Sequence, residues 1–189
     1  MREHDGAGRS VAMLLAGVAG GILGSRLIPP FFAMATGSVR VRAGGDPFAR
    51  LIEDHRQILS ILDQMVKVAT NCTLRRSRLF LMLKRKLGKH ALAEEDVVYP
   101  IVHKESKVDD KSKHLYHEHA DMKILLFEIE EKLKSGDDWS GTARSLRDLI
   151  RRHVDEEEQV IFPSLREKLN TDRLPTVSGQ ICREEALIL

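Results

Sequence analysis

From residue 47 onward, apolar side chains recur every three or four positions, and no stretch alternates apolar with polar. A period near 3.6 marks amphipathic helices, whereas strict alternation marks strands. The pattern therefore predicts an all-α chain with helices near 47–70, 74–104, 110–135 and 141–169. Asp46 and Pro47 open the first of them as N-cap and first helical residue. Asn71-Cys72-Thr73, residues 106–109 and Ser135-Gly136-Asp137-Asp138 supply the turns. Connections this short between long helices imply antiparallel neighbours, and hence an up-down-up-down four-helix bundle. Beyond Asn170, Pro175 and Gly179 predict an irregular tail. The expected plan is a segment 1–46, a bundle 47–169 and a tail 170–189.

The apolar stripes are interrupted at particular places. The first helix reads Phe48, Leu51, His55, Ile58, Leu62, Met65 and Ala69; the third reads Leu115, His119, Met122, Leu126, Ile129 and Leu133. The second runs Leu83, Leu87, His90, Glu94, Val97 and Ile101, and the fourth Leu146, Leu149, His153, Glu157, Val160 and Ser164. Each stripe thus carries one histidine where the packing pattern calls for an apolar residue, and two carry a glutamate four positions on. Positions i and i+4 project from one face, so each His–Glu pair can reach one ion. An unpaired carboxylate in a bundle core costs several kcal/mol or becomes protonated, so the two acids call for a cation. A lone histidine on an apolar stripe is ordinarily core, but four of them, one per helix, are not explained that way.

The two His–Glu pairs belong to an internal repeat. KHALAEEDVVYPI (89–101) and RHVDEEEQVIFPS (152–164) share His, Glu four residues later, an aromatic five beyond the Glu, and then Pro. Four imidazoles, two carboxylates and no thiolate are too many donors for one tetrahedral zinc. Two ions bridged by both carboxylates, each with two imidazoles, would use every donor. Mixed nitrogen and oxygen ligands suit iron ahead of manganese or zinc. The Glu-x-x-His spacing of ferritin-type bundles is absent, since no Glu has His three residues later. The candidate ligands are therefore His55, His90, Glu94, His119, His153 and Glu157. His114 and Glu118 share the spacing but lie on a face continued by Asp121, and are assigned to solvent with His117. His4 and His103 have no partner at ligand spacing. Glu95, Asp96, Glu156 and Glu158 are taken as solvated neighbours, with a hydrogen bond accepted by some of them from a ligand imidazole as the alternative, and Met65, Met82 and Met122 as core filler.

Composition changes the picture in three ways. Thirty basic and 28 acidic residues leave a net charge of +2, which gives no bulk attraction to nucleic acid, and none is expected as a partner. Two cysteines exclude a CxxC metal site and a disulfide scaffold. Residues 10–25 are uncharged and glycine-rich, and the apolar character resumes after Arg26. The run 10–35 is expected to be a short membrane anchor rather than a cleaved signal, with an apolar terminal helix packed on the domain as the third reading; small-xxx-small spacings fall at Gly17/Gly21 and Gly20/Gly24. Arg26, Arg40 and Arg42 on its C-terminal side lean toward a cytoplasmic domain. Arg75, Arg76, Arg78, Lys84, Arg85, Lys86 and Lys89 form a basic run assigned to the outer face of the second helix, where it could meet anionic lipid.

The six spaced residues, with the words DHR (54–56), EEDVVYP (94–100), HEHADM (117–122) and EEQVIFP (157–163), resemble bacterial hemerythrin-like (HHE cation-binding) domains over about residues 47–169. The resemblance implies a four-helix bundle with a di-iron centre. It places His55 and His90 on one iron, His119 and His153 on the other, and Glu94 and Glu157 as bridges. Oxygen-carrying hemerythrins have a fifth histidine in an HxxxH word on the third helix and HxxxxD on the fourth. Here Leu115 precedes His119 by four, Lys123 follows it by four, and the fourth helix carries HxxxE. One iron is thus expected to have an open or water-filled position, which disfavours simple reversible O2 carriage. The expected function is a non-haem di-iron protein that binds or senses O2, peroxide or nitric oxide. Peroxidase- or catalase-like turnover at the open iron is the alternative, as is an iron-binding module at an anionic membrane surface. No protein partner is specified.

Overall fold

The computed structural model describes residues 46–106 and 109–188. The described residues are helical with no strands. Helix α1 spans Pro47–Lys67, α2 Thr73–Ala93, α3 Tyr99–Ser106, α4 Asp109–Ser135, α5 Ser140–Glu156, α6 Phe162–Lys168 and α7 Leu174–Glu185. Short π-helical turns, Glu94–Val98 and Glu157–Ile161, join α2 to α3 and α5 to α6, so each pair is one continuous rod. Four rods result: α1, α2–α3, α4 and α5–α6. Helix α1 packs on α2 and α5, and α4 packs on α5, α2 and α3, as in a four-helix bundle. The expected run 10–35 and its anchoring role lie outside the described residues. Among those described, no helix is long and apolar enough to cross a membrane.

The chain enters α1 as its chemistry dictates. Asp46 Oδ1 accepts the Phe48 N–H at 3.0 Å, and Pro47 occupies the first turn, where no N–H partner is needed. Between α4 and α5, Gly136 takes φ +81°, a left-handed conformation that costs glycine nothing. Arg76 braces this turn. It is 2% exposed, donates to the carbonyls of Thr70, Gly136 and Asp137, and lies 4.5 Å over the Trp139 ring. Trp139 in turn donates its indole N–H to Met65 O at 3.0 Å. Arg76 therefore does not belong to the outer basic face. Lys86 is also drawn inward, onto the buried Asp54 at 2.5 Å, and Lys84 reaches Glu130 across to α4. Met82, expected in the core, is 42% exposed.

Two apolar layers form the core. One contains Ile58, Leu62, Met65, Leu83, Met122, Ile129, Trp139, Leu146 and Ile150; the other contains Phe48, Leu51, Val98, Leu115, Ile161, Phe162, Leu165 and Ile181. Burying each such side chain contributes about 1.5–3 kcal/mol, enough to hold a polar layer between them. Every rod passes from one apolar layer to the other through that polar layer: Leu51–His55–Ile58 on α1, and Leu115–His119–Met122 on α4.

The tail expected after Asn170 is a helix instead. Pro175 lies in the first turn of α7, where its missing N–H costs nothing. Val177, Ile181 and Cys182, spaced four and one apart, turn one face onto α1 and α2. The apolar spacing outweighed the helix-breaking residues because it had a surface to cover.

Candidate metal centre

All six candidate ligands are at most 2% exposed and converge in the polar layer. His55, His90, Glu94 and Glu157 offer one atom each within 4.8 Å of one another, and so do Glu94, His119 and His153. Glu94 belongs to both groups. His90 Nε2 lies 3.0 Å from Glu94 Oε2, and His119 Nε2 lies 3.5 Å from the same oxygen. Glu157 mirrors this, with Oε2 3.2 Å from His55 Nε2 and Oε1 3.4 Å from His153 Nε2. Each carboxylate thus faces a histidine of both pairs.

The π-turns explain how the repeat is read. In each, the N–H of the residue after the turn bonds back five residues: Tyr99 to Glu94 O, and Phe162 to Glu157 O. The i+5 bond adds one residue to the turn and rotates the helix beyond it. The aromatic five beyond each glutamate is therefore carried onto the glutamate's own face. Tyr99 and Phe162 are both fully buried. The same rotation removes Val160 from the core, leaving it 46% exposed, and substitutes Ile161 and Leu165. An α-helical stripe through 157, 160 and 164 could not anticipate this.

The outer nitrogens of three imidazoles are held by acids from neighbouring rods. Glu158 lies 2.8 Å from His55 Nδ1, Glu95 2.9 Å from His119 Nδ1, and Glu118 2.7 Å from His153 Nδ1. Such contacts place the proton on Nδ1 and aim Nε2 inward. The expected assignment of Glu118 to solvent is thus corrected, and for Glu95 and Glu158 the alternative, a hydrogen bond with a ligand imidazole, is the one the structure shows. Their i+1 positions beside Glu94 and Glu157, or one before His119, point them at the next rod rather than outward. His114 remains 55% exposed on its side chain.

The electrostatics reflect burial. Burial alone lowers the His55 pKa, but contact with Glu157 and Glu94 outweighs it and raises it to about 10. Burial opposes charge on His153 too, and Glu157 and Glu118 together carry it to about 10. His119 is raised as well, by Glu94 and Glu95 against the burial penalty. Burial favours the neutral form of Glu94, yet the surrounding histidines hold its carboxyl well below the ordinary range. The site is built to keep two buried carboxylates charged, which requires positive charge beside them.

Among the described residues, Glu94 Oε1, Glu157 Oε2 and His55 Nε2 are buried and close together, and none is aligned for a hydrogen bond. Carboxylate oxygens and an imidazole nitrogen that face common ground without being aligned for a hydrogen bond fit a metal ion, which would take the place of the protons that now balance the acids. A buried histidine–carboxylate centre capable of holding metal, carried on a helical bundle, is the class of site defined here. The chain belongs to the hemerythrin family: residues 46–165 match the model described as hemerythrin HHE cation binding domain. Over 94 residues it is also 33% identical to a protein named DNA nickase from Nostoc sp., a match covering 50% of this chain. The matched stretch spans about a quarter, 26%, of that relative's length. No solved structure matches.

Sequence reasoning missed Tyr99 as a member of the site. Its hydroxyl lies 2.9 Å from His119 Nε2, 3.3 Å from His153 Nε2 and 3.5 Å from Glu94 Oε2, and donates to Glu157 Oε1 at 3.0 Å. Burial first, and then Glu157 and Glu94, push the phenol well above its ordinary pKa. The signal was present in the repeat, whose Glu-to-aromatic spacing of five matches a π-turn rather than an α-turn.

Proposed function

We propose that the centre holds two iron ions, one between His55 and His90 and one between His119 and His153, with Glu94 and Glu157 shared. Through them the protein binds or senses O2, peroxide or nitric oxide. The observation that carries this reading is the pair of overlapping donor groups that have Glu94 in common. One fully buried carboxylate facing two histidine pairs suits two cations better than one. Glu158, Glu95 and Glu118 support the reading by holding three of the four imidazoles by Nδ1, which aims Nε2 at the centre. When bound, iron supplies redox change and affinity for small oxidants. The chain's own residues orient the imidazoles, keep the carboxylates ionised and shield the layer from water on both sides.

The activity named for the Nostoc relative does not carry over, because the match spans 26% of that protein. The test is metal analysis of protein reconstituted anaerobically with ferrous iron, and then spectroscopic titration with O2, nitric oxide and peroxide. About two irons per chain and a saturable spectral change with one of the three are expected. Fewer than about one iron per chain, with no visible absorption after oxidation, refutes the reading.

A further inference from the structure

We infer that the Tyr99 hydroxyl oxygen is a seventh ligand of the centre, bound at the His119–His153 end. The inference rests on the di-iron reading above and adds to it a residue type that the six spaced His and Glu positions do not contain.

Donor geometry carries the argument. With bonds of about 2.1 Å, two ligands of one ion lie about 3.0 Å apart at a right angle and about 3.4 Å apart at a tetrahedral one. The Tyr99 oxygen is 2.9 Å from His119 Nε2, 3.3 Å from His153 Nε2 and 3.0 Å from Glu157 Oε1, and the two Nε2 atoms are 3.2 Å apart. The Tyr99 oxygen and the two Nε2 atoms, from three rods, therefore stand at the mutual separations of ligands to one ion, with Glu157 Oε1 at the same range from Tyr99 and His153. Without Tyr99, the His119–His153 group contains three donor residues where the His55–His90 group contains four.

A metal ion can take the place of the protons in this cluster. Glu95 and Glu118 hold His119 and His153 by Nδ1, so that exchange of the Nε2 protons for a metal leaves each ring one lone pair directed inward. The two Nε2 atoms, 3.2 Å apart, and the phenol oxygen, whose proton goes to Glu157, then face common ground. A cation there attracts all three. On binding, the phenol O–H bond and the Nε2–H bonds of protonated rings are exchanged for bonds to the metal, and the protons leave to solvent.

The internal repeat supplies a contrast. At the equivalent position after the second π-turn stands Phe162, stacked on His55 with centroids 6.0 Å apart and planes 8° from parallel. The two ends of the centre thus differ by one hydroxyl. Tyr99 is braced rather than loosely placed, since Tyr116 meets it edge-on at 5.1 Å and anchors its own hydroxyl to Glu95 O at 2.7 Å. A π-turn is rare and commonly marks a working site. An anionic oxygen donor stabilises the ferric state, which makes the two irons unequal and favours reaction with an oxidant over reversible carriage.

The chain has only two tyrosines, Tyr99 and Tyr116, so a phenolate signal can be assigned. Full-length protein is loaded anaerobically with ferrous iron and oxidised in air. Iron per chain and visible-excited resonance Raman spectra are then recorded for the wild type, Tyr99→Phe and Tyr116→Phe. The expected result is phenolate-to-ferric absorption with ring modes of a coordinated phenolate, lost in Tyr99→Phe and retained in Tyr116→Phe. Iron at about two per chain without those modes overturns the inference and leaves the di-iron reading standing. Modes abolished by Tyr116→Phe instead also overturn it. Less than about one iron per chain in the wild type refutes both. Circular dichroism of the iron-free variants checks the fold. Should Tyr99→Phe fail to fold, the wild-type and Tyr116→Phe spectra still decide the outcome.

Discussion

Replacing Glu118 by alanine should weaken iron binding at the His119–His153 end without unfolding the bundle. The carboxylate lies 2.7 Å from His153 Nδ1 and its side chain is 13% exposed, so the charge acts across a short, mostly dry contact. Groups that hold a ligand imidazole from behind contribute about 10–100-fold in metal affinity, or about 1.4–2.8 kcal/mol. Glu118 belongs in the upper half of that range, near 30- to 100-fold. Glu95 is 21% exposed and divides its charge between His119 and Lys123, and Glu158 is 31% exposed. Their alanine variants should therefore lose progressively less, with Glu158→Ala near about tenfold. His114 touches Glu118 at 3.6 Å from an exposed position, so His114→Ala should change affinity by less than about twofold. The assay is an anaerobic competition titration against a chromophoric ferrous chelator, with the helix content of each variant checked beforehand. A folded Glu118→Ala protein binding iron within about twofold of the wild type would show that the carboxylate is an ordinary surface group.

Three other outcomes are expected from the same geometry. Glu94→Gln keeps the side-chain shape but removes the charge common to both donor groups, so bound iron should fall from about two to below about one per chain, read by metal analysis. In protein stripped of metal by a chelator, His55 and His153 have folded pKa values raised to about 10 from 6.5. Their stabilisation is complete below pH 6.5 and is lost as pH rises toward 10, by up to about 1.4 kcal/mol per unit for each group. Thermal melts should therefore fall across that window, and the slope should flatten once metal replaces the protons. Arg76→Ala removes a buried cation serving three carbonyls and the Trp139 face, far along the bundle from the centre. It should cost about 3 kcal/mol in denaturant unfolding while iron stoichiometry is unchanged.

Much of this protein could be read before folding it. The 3.6 period announced helices, and short polar turns announced their antiparallel order. Histidine and glutamate on apolar stripes announced a charged layer that an apolar core would not tolerate. These are local facts, because the face of an α-helix is set by spacing alone. His55, His90, Glu94, His119, His153 and Glu157 were all chosen on that basis, and the fold brings them together in two overlapping groups. Spacing could not tell where the α-period lapses. Two π-turns advance the register by one residue, moving Tyr99 and Phe162 onto the ligand face and Val160 off the core. The role of Glu118 was equally hidden, and that of Glu95 and Glu158 could be named but not decided, since their partners lie on other rods, and a charge beside a stripe looks the same whether it meets water or an imidazole. Arg76 and α7 obey the same rule: one was read as surface and is buried, the other was read as irregular and is a helix. The amino-acid order settles which face a helix buries as long as its α-period holds. Contacts between helices, whose partners lie far apart in the chain, settle what each polar side chain finally meets.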